Sequence, residues 1–220
     1  MKYSLAIFDM DGTVLNTISD IANAVNYTVT KYGYTSYTEN EVLNFVGKGL
    51  KLTLSQALEA HNISITEEKF QKMFADFIAY YAKHSNDTTA PYDGIIDTMK
   101  ELKKQGLKLA LVSNKRHAQV QELCEVYFPG LLEVCYGEDE VNGINKKPAP
   151  DSVNAVLKDL NISAKDAVYI GDSEIDIKTA QNANMDGIAV AWGFRTQEFQ
   201  KEHGATVFAN KPSDLIELCI

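Results

Sequence analysis

The 220 residues carry 30 acids against 21 lysines and arginines, a net charge of −9, and are 45% hydrophobic and 23% charged. That is the composition of an ordinary globular chain, long enough for one large domain or one domain with an insertion. Its sign argues against nucleic acid and anionic membranes as partners, because both are polyanions. Cys124, Cys135 and Cys219 are widely spaced and form no CxxC pair, which disfavours a zinc or disulfide framework and points to reduced thiols in a cytoplasmic protein. The short apolar N-terminal run is interrupted by an acid at position 9, unlike a signal peptide, and no stretch approaches the roughly 18 apolar residues of a membrane span.

Residues 3–8 read as a buried strand, apolar with little alternation. It stops abruptly at Asp9 and Asp11, and Gly12 and Thr13 follow. Two acids one residue apart share a face of an extended chain, and they repel unless a cation sits between them. A turn at the strand end accounts for the same residues equally well.

From residue 16 to 85 the period is helical. Ile18, Ile21, Val25 and Val29 mark a first helix stopped at Gly33, and Thr38 with Glu41 forms a capping box before a second. Leu50, Leu54 and Leu58 mark a third, and Phe70, Met73, Phe77 and Tyr81 a long fourth entered near Thr66. Residues 85–91 are a polar linker. Beyond it helices and strands alternate, with strands expected at 107–113, 133–136, 167–171, 187–192 and 205–209 and helices at about 94–105, 116–127, 151–160, 174–183 and from Pro212. This pattern predicts an α/β fold: a parallel Rossmann-like sheet with helices on both faces, built from residues 1–15 and 91–220, carrying an inserted all-helical subdomain at 16–90.

Parallel sheets bind ligands beyond the carboxyl ends of their strands. Asp9 and Asp11 follow the first strand, Ser113-Asn114-Lys115-Arg116 another, Asp172-Ser173 with Asp176 a third, and Gly193-Phe194-Arg195 a fourth. Lys147 lies in a proline-flanked loop ahead of the helix at 151. Each group has an ordinary reading as a cap, a turn or an exposed charge. Together they assemble hard oxygen ligands for a cation, a lysine for phosphate charge, and a hydroxyl and amide for phosphate oxygens.

Phe8-Asp-Met-Asp-Gly-Thr-Val14, Val112-Ser-Asn-Lys115, Lys147-Pro-Ala-Pro150 and Gly171-Asp-Ser-Glu-Ile-Asp176 resemble, in order and spacing, the four motifs of the haloacid dehalogenase-like hydrolases in their phosphatase form. The loop Phe45-Val-Gly-Lys-Gly-Leu50 and Ala191-Trp-Gly-Phe194 are similar to the phosphoglycolate phosphatase branch. The resemblance implies that the helical insertion is a mobile cap and that the substrate is a small phosphorylated metabolite, handled by a monomer or small homo-oligomer. It implies Asp9 as nucleophile and Asp11 as the acid and base that moves protons. Mg2+ would be held by the Asp9 carboxylate, the Asp11 carbonyl and Asp172, with Asp176 and Ser173 supporting from behind. Ser113 and Asn114 would hold phosphate oxygens and Lys147 would offset their charge.

Lys48 in the cap loop is the candidate for a negative group on the leaving portion of the substrate, although relatives of that branch often carry an uncharged residue there. Arg195 is a further substrate candidate, while Lys115 and Arg116 are expected to open a helix and face solvent. A sugar phosphomutase of the β-phosphoglucomutase kind and an inorganic pyrophosphatase share the four motifs and stay as alternatives. A dehalogenase, a non-catalytic binding module and an EF-hand fit less well. The last fails because Gly12 directly follows Asp11 and no glutamate closes a twelve-residue loop.

Overall fold

In the computed structural model, which describes residues 2–220, the chain forms two compact units, Met1–Leu15 with Pro91–Ile220 and Asn16–Ala90. The first strand, β1 (Leu5–Phe8), runs into the acidic turn, and β2 (Leu15–Asn16) leads out of the first unit. The second unit holds α1 (Ile18–Lys31), α2 (Glu39–Leu43), α3 (Leu50–Ala60) and α4 (Glu67–His84). The chain returns along β3 (Ala90–Pro91), which pairs with β2. The rest runs α5 (Ile95–Lys104), β4 (Lys108–Arg116), α6 (His117–Tyr127), β5 (Val134–Glu138), α7 (Asp151–Leu160), β6 (Ala167–Gly171), α8 (Glu174–Asn182), β7 (Asp186–Val190), α9 (Gln197–Glu202), β8 (Phe208–Ala209) and α10 (Asp214–Cys219).

The six main strands form one parallel sheet in the order β5-β4-β1-β6-β7-β8. Both faces of β1 are buried, which is why its sequence is continuously apolar rather than alternating. Ala6 and Phe8 join Leu109, Leu111, Val168 and Ile170 on the face covered by α5, α6 and α10. Leu5 and Ile7 join Ala110, Val112, Ala167 and Tyr169 on the opposite face, against Val153 and Val156 of α7 and Ala180 of α8. Burying a side chain of the size of Phe8 or Ile7 contributes about 1.5–3 kcal/mol, so the central strand is well anchored just before its acids.

In the helical unit Thr38 and Glu41 form the expected capping box, and Thr66 accepts the Lys69 N–H at the head of α4. Ile21, Val25 and Val29 of α1 and Met73, Phe77 and Tyr81 of α4 are buried along faces of those helices. Asp20, also buried, closes the turn after α4. It accepts from the amides of Thr88 (3.0 Å) and Thr89 (2.9 Å) and from both threonine hydroxyls.

Three elements differ from the sequence expectation. β4 continues through Arg116 instead of ending at Ser113, so Lys115 lies on a strand and is buried rather than solvent-facing. Its extension is accommodated by Gly137 of β5. A methyl there would fall 2.5 Å from the Lys115 carbonyl and 2.6 Å from the His117 nitrogen. The short ribbon β2–β3 and the helix α9 also arise where none was expected, since two residues and six residues give too little periodicity to read. The three cysteines are free thiols, with Cys124 on α6 and Cys135 on β5. Among the described residues no helix is long and apolar enough to cross a membrane.

Candidate active site

Register brings the acids together. Phe8 stands opposite Leu111 on one side and Ile170 on the other, so Asp9 and Asp172, each just past its strand, and Ser113 on β4 lie at the same carboxyl edge. Three glycines keep that edge open to carboxylates. A methyl on Gly12, whose φ is +83°, would lie 2.5 Å from Asp172 Oδ2. Methyls on Gly171 and Gly193 would overlap the side chains of Asp176 and Asp172. At Gly12 the positive φ is itself a reason for glycine.

Asp9, Asp172 and Asp176 are buried, and each presents a carboxylate oxygen within 4.8 Å of the others. Lys147 bridges two of them, Asp9 and Asp176. Its Nζ donates to Asp9 Oδ1 at 2.6 Å, to Asp176 Oδ1 at 2.8 Å and to the Tyr169 hydroxyl at 3.0 Å. Burial opposes its charge, but Asp176 and Asp9 outweigh burial and hold its pKa well above the usual lysine value.

The three carboxylates are not equivalent. Asp176 Oδ1 accepts from Lys147 and Tyr169, and its Oδ2 accepts from the Ser173 amide (3.0 Å) and hydroxyl (2.6 Å). All four of its lone-pair sites are therefore in use. Burial pushes its carboxyl up, yet Lys147 and the Ser173 donors prevail and keep it below the ordinary carboxylate range. Among the described residues the Asp172 carboxylate accepts from Thr13 Oγ1 at 3.3 Å and the Phe194 amide at 2.6 Å, which leaves acceptor capacity on both oxygens. Burial first and Asp176 second push it up to about 7, against the Phe194 amide, Arg195 and Lys147. Burial, followed by Asp176, also drives Asp9 well above the usual range despite the contact with Lys147.

One lysine thus faces three buried carboxylates, and two of these retain free acceptor capacity. Hard oxygen donors gathered around excess negative charge fit a divalent cation of the Mg2+ type. Asp9 and Asp172 are the side chains able to hold it, and Asp176 is saturated by its own partners.

The remaining sequence candidates have definite positions. Asp11 pairs with the buried Lys115, Nζ to Oδ1 3.0 Å, so that lysine belongs to the site and not to the solvent face. Ser113 is buried and its hydroxyl accepts the Lys115 amide at 3.2 Å. Asn114 uses both ends of its amide on the backbone of Lys147, accepting from the nitrogen at 2.7 Å and donating to the carbonyl at 3.2 Å. Its visible task is thus to place the lysine loop. Arg195 ion-pairs with Glu174 at 3.3 Å and lies 5.7 Å from the centre of the Phe199 ring. Lys48 is exposed in the α2–α3 loop between Gly47 and Gly49, both at positive φ.

The sequence did not show that Tyr169 donates to Asp176, or that Thr13 and the Phe194 amide donate to Asp172. Tyr169 reads as one more core residue of a strand, and nothing local marks its hydroxyl. Thr196 does mark α9, accepting the Phe199 amide as an N-cap, and Gly204 closes it.

Comparison with known proteins agrees with this arrangement. Residues 6–190 match the family model of the haloacid dehalogenase-like hydrolases. The chain is 34% identical over 200 residues to a phosphoglycolate phosphatase of Psychrobacter arcticus, covering 88% of this chain and 86% of that one. It is 27% identical to the pyrophosphatase PpaX of Bacillus cereus over 99% and 97% of the two chains. The crystal structure of a candidate phosphoglycolate phosphatase from Lactobacillus delbrueckii subsp. bulgaricus superposes with a TM-score of 0.95 at 40% identity, over 100% of this chain and 99% of that one. With the acidic cluster at the strand ends and a family match over most of its length, this chain belongs to the haloacid dehalogenase-like hydrolases.

Proposed function

We propose that the protein is a Mg2+-dependent phosphatase of small phosphate monoesters that works through an aspartyl-phosphate on Asp9, with phosphoglycolate the foremost substrate. The observation that carries this reading is the buried Asp9 carboxylate, 2.6 Å from Lys147 and flanked by Asp172. The names of the relatives supply the substrate class.

The steps follow from the groups present. An Asp9 oxygen attacks phosphorus, the bond from phosphorus to the leaving oxygen breaks, and Asp11 delivers a proton to the departing alkoxide. Asp11 then takes a proton from water, the resulting hydroxide attacks phosphorus, and Asp9 is released with inorganic phosphate. Lys115, paired with Asp11, keeps that carboxyl in place between the two steps. Ser113 offers a hydroxyl to phosphate oxygens, and Lys147, aligned by Asn114, offsets the charge that spreads over them. A bound Mg2+ supplies Lewis-acid stabilisation of those oxygens and lets the Asp9 and Asp172 carboxylates coexist ionised.

The helical unit, residues 16–90, serves in this reading as the cap that chooses the leaving group, with Lys48 as its candidate contact for a carboxylate. A phosphate-release screen over small monoesters and pyrophosphate, with Mg2+ and with chelator, tests the proposal. Turnover of phosphoglycolate only with Mg2+ supports it, and no turnover of any ester in Mg2+ overturns it. Lys48→Ala should raise KM for phosphoglycolate but not for a neutral ester; equal losses would remove Lys48 from recognition. The PpaX relation favours pyrophosphate as the second reading, and release of two phosphates per pyrophosphate would select it.

A further inference from the structure

Gln200 sits in the middle of α9, fully buried, where a leucine or methionine would fill the same space. Its side-chain nitrogen donates to two carbonyls at once, that of Asp172 at 2.7 Å and that of Val190 at 2.9 Å. Its Oε1 is buried with no hydrogen-bond partner in the protein among the described residues. Leaving a buried acceptor unpaired is unfavourable by about 1–3 kcal/mol, so the amide carries a penalty that an apolar residue would avoid. The compensation lies in the two carbonyls.

Those carbonyls are not arbitrary. Val190 ends β7, and Asp172 directly follows β6, two residues ahead of α8. The segment that supplies Gln200 also supplies the Phe194 amide, which holds the Asp172 side chain at 2.6 Å, and Thr13 holds the other carboxylate oxygen. Asp172 is therefore gripped at its main chain and at both side-chain oxygens. Gln200 is itself held firmly, its amide donating to the Thr196 carbonyl and its carbonyl accepting from Ala205.

We infer that Gln200 is a positioning residue for Asp172, fixing the main chain of that carboxylate so that its oxygens stay aimed at a divalent cation. This rests on the reading of Asp9 and Asp172 as cation ligands. Groups that orient a ligand from behind typically change metal affinity by about 10–100-fold when removed. A role confined to filling the core would leave affinity untouched.

The test is calorimetric titration of Mg2+ into the full-length protein, wild type beside Gln200→Met and Gln200→Leu, with thermal melting in chelator as the fold control. The expected result is that both variants still fold and melt cooperatively, because loss of the orphan acceptor offsets part of the cost of leaving the Asp172 and Val190 carbonyls without that donor. Their Mg2+ binding should be at least about 10-fold weaker, with little change in KM for a phosphate ester at saturating Mg2+. Wild-type affinity in either folded variant overturns the inference. Failure of both variants to fold also overturns it, since that assigns Gln200 to the core. Absence of Mg2+ binding by the wild type would instead overturn the cation reading itself, a result distinct from either of these.

Discussion

Asp20 in the helical unit and Asp9 at the sheet edge are both buried carboxylates, with 1% and 7% of their surfaces exposed, yet their surroundings are opposite in kind. Around Asp20 every partner is a neutral donor, two amides and two hydroxyls from Thr88 and Thr89. Burial raises its pKa, but those four donors reverse the effect and leave it below the ordinary value. Asp9 has Lys147 and three neighbouring acids, Asp176, Asp172 and Asp11, and burial together with those acids moves its pKa the other way. Burial pushes both carboxyls up, more heavily at Asp9, and the partners decide whether that push is reversed: donors complete Asp20 within the protein, whereas neighbouring acids leave Asp9 in want of a cation. Each prediction below removes a partner from one side of this contrast.

The largest effect belongs to Asp9→Asn. Turnover should fall by about 10⁴-fold or more, as for other nucleophiles removed from a working site. The chelated protein should melt no lower than wild type, because one of three crowded charges has gone. Phosphate release at the wild-type rate would show that Asp9 is merely another buried acid. Lys147→Met comes next. Removing the cation that pairs with Asp9 and Asp176 should destabilise the chelated protein by about 3–5 kcal/mol, measured as a shift in the urea unfolding midpoint. Added Mg2+ should restore part of the loss, since a ligand that binds only the folded state stabilises it. An unchanged midpoint would mean that the acids are better solvated than their burial implies.

Much of this contrast was legible in the sequence, and unevenly so. The sheet edge could be read because each parallel strand ends in a short run of functional letters, and the apolar strand before Asp9 announces itself through burial on both faces. The helical unit could be read from period alone, as with Ile21, Val25 and Val29. What could not be read were the roles that depend on pairs far apart in sequence. Lys115 looked like a helix-opening surface charge until the close approach of Gly137 extended β4 and brought the lysine to Asp11. Asn114 was legible as a polar residue at a strand end, but not its pairing with the Lys147 backbone 33 residues away. Nothing in the sequence marks Asp20, an acid in the first turn of α1, because its four donors lie 68 and 69 positions downstream.

On the structural side of the contrast, Asp20→Asn should destabilise the protein by about 2 kcal/mol, the scale of hydrogen bonds to a charged group. The asparagine keeps one acceptor oxygen but turns an NH2 toward N–H and O–H donors. The sign of the pH dependence follows from the lowered pKa of Asp20. Its contribution is fully present above the unfolded carboxylate value, about 3.9, and is lost as pH falls through the lower folded value. The difference in stability between wild type and Asp20→Asn should accordingly be constant from neutral pH down to about 4 and shrink below it. A difference that instead shrank on going from pH 4 to pH 7 would contradict the neutral-donor description.

The smallest effect is the most discriminating. Thr89→Val removes one hydroxyl donor from Asp20 and leaves the Thr89 amide, the Thr88 amide and the Thr88 hydroxyl in place. The expected loss is about 1 kcal/mol, that of one net hydrogen bond, with amide exchange at residues 88 and 89 accelerated in proportion. Combining it with Asp20→Asn tests whether the threonine acts through the carboxylate. Residues sharing one network are not additive, so the double variant should lose clearly less than the sum of the two single losses. Full additivity would detach Thr89 from Asp20, and the helical-unit carboxylate would then be no more self-contained than Asp9.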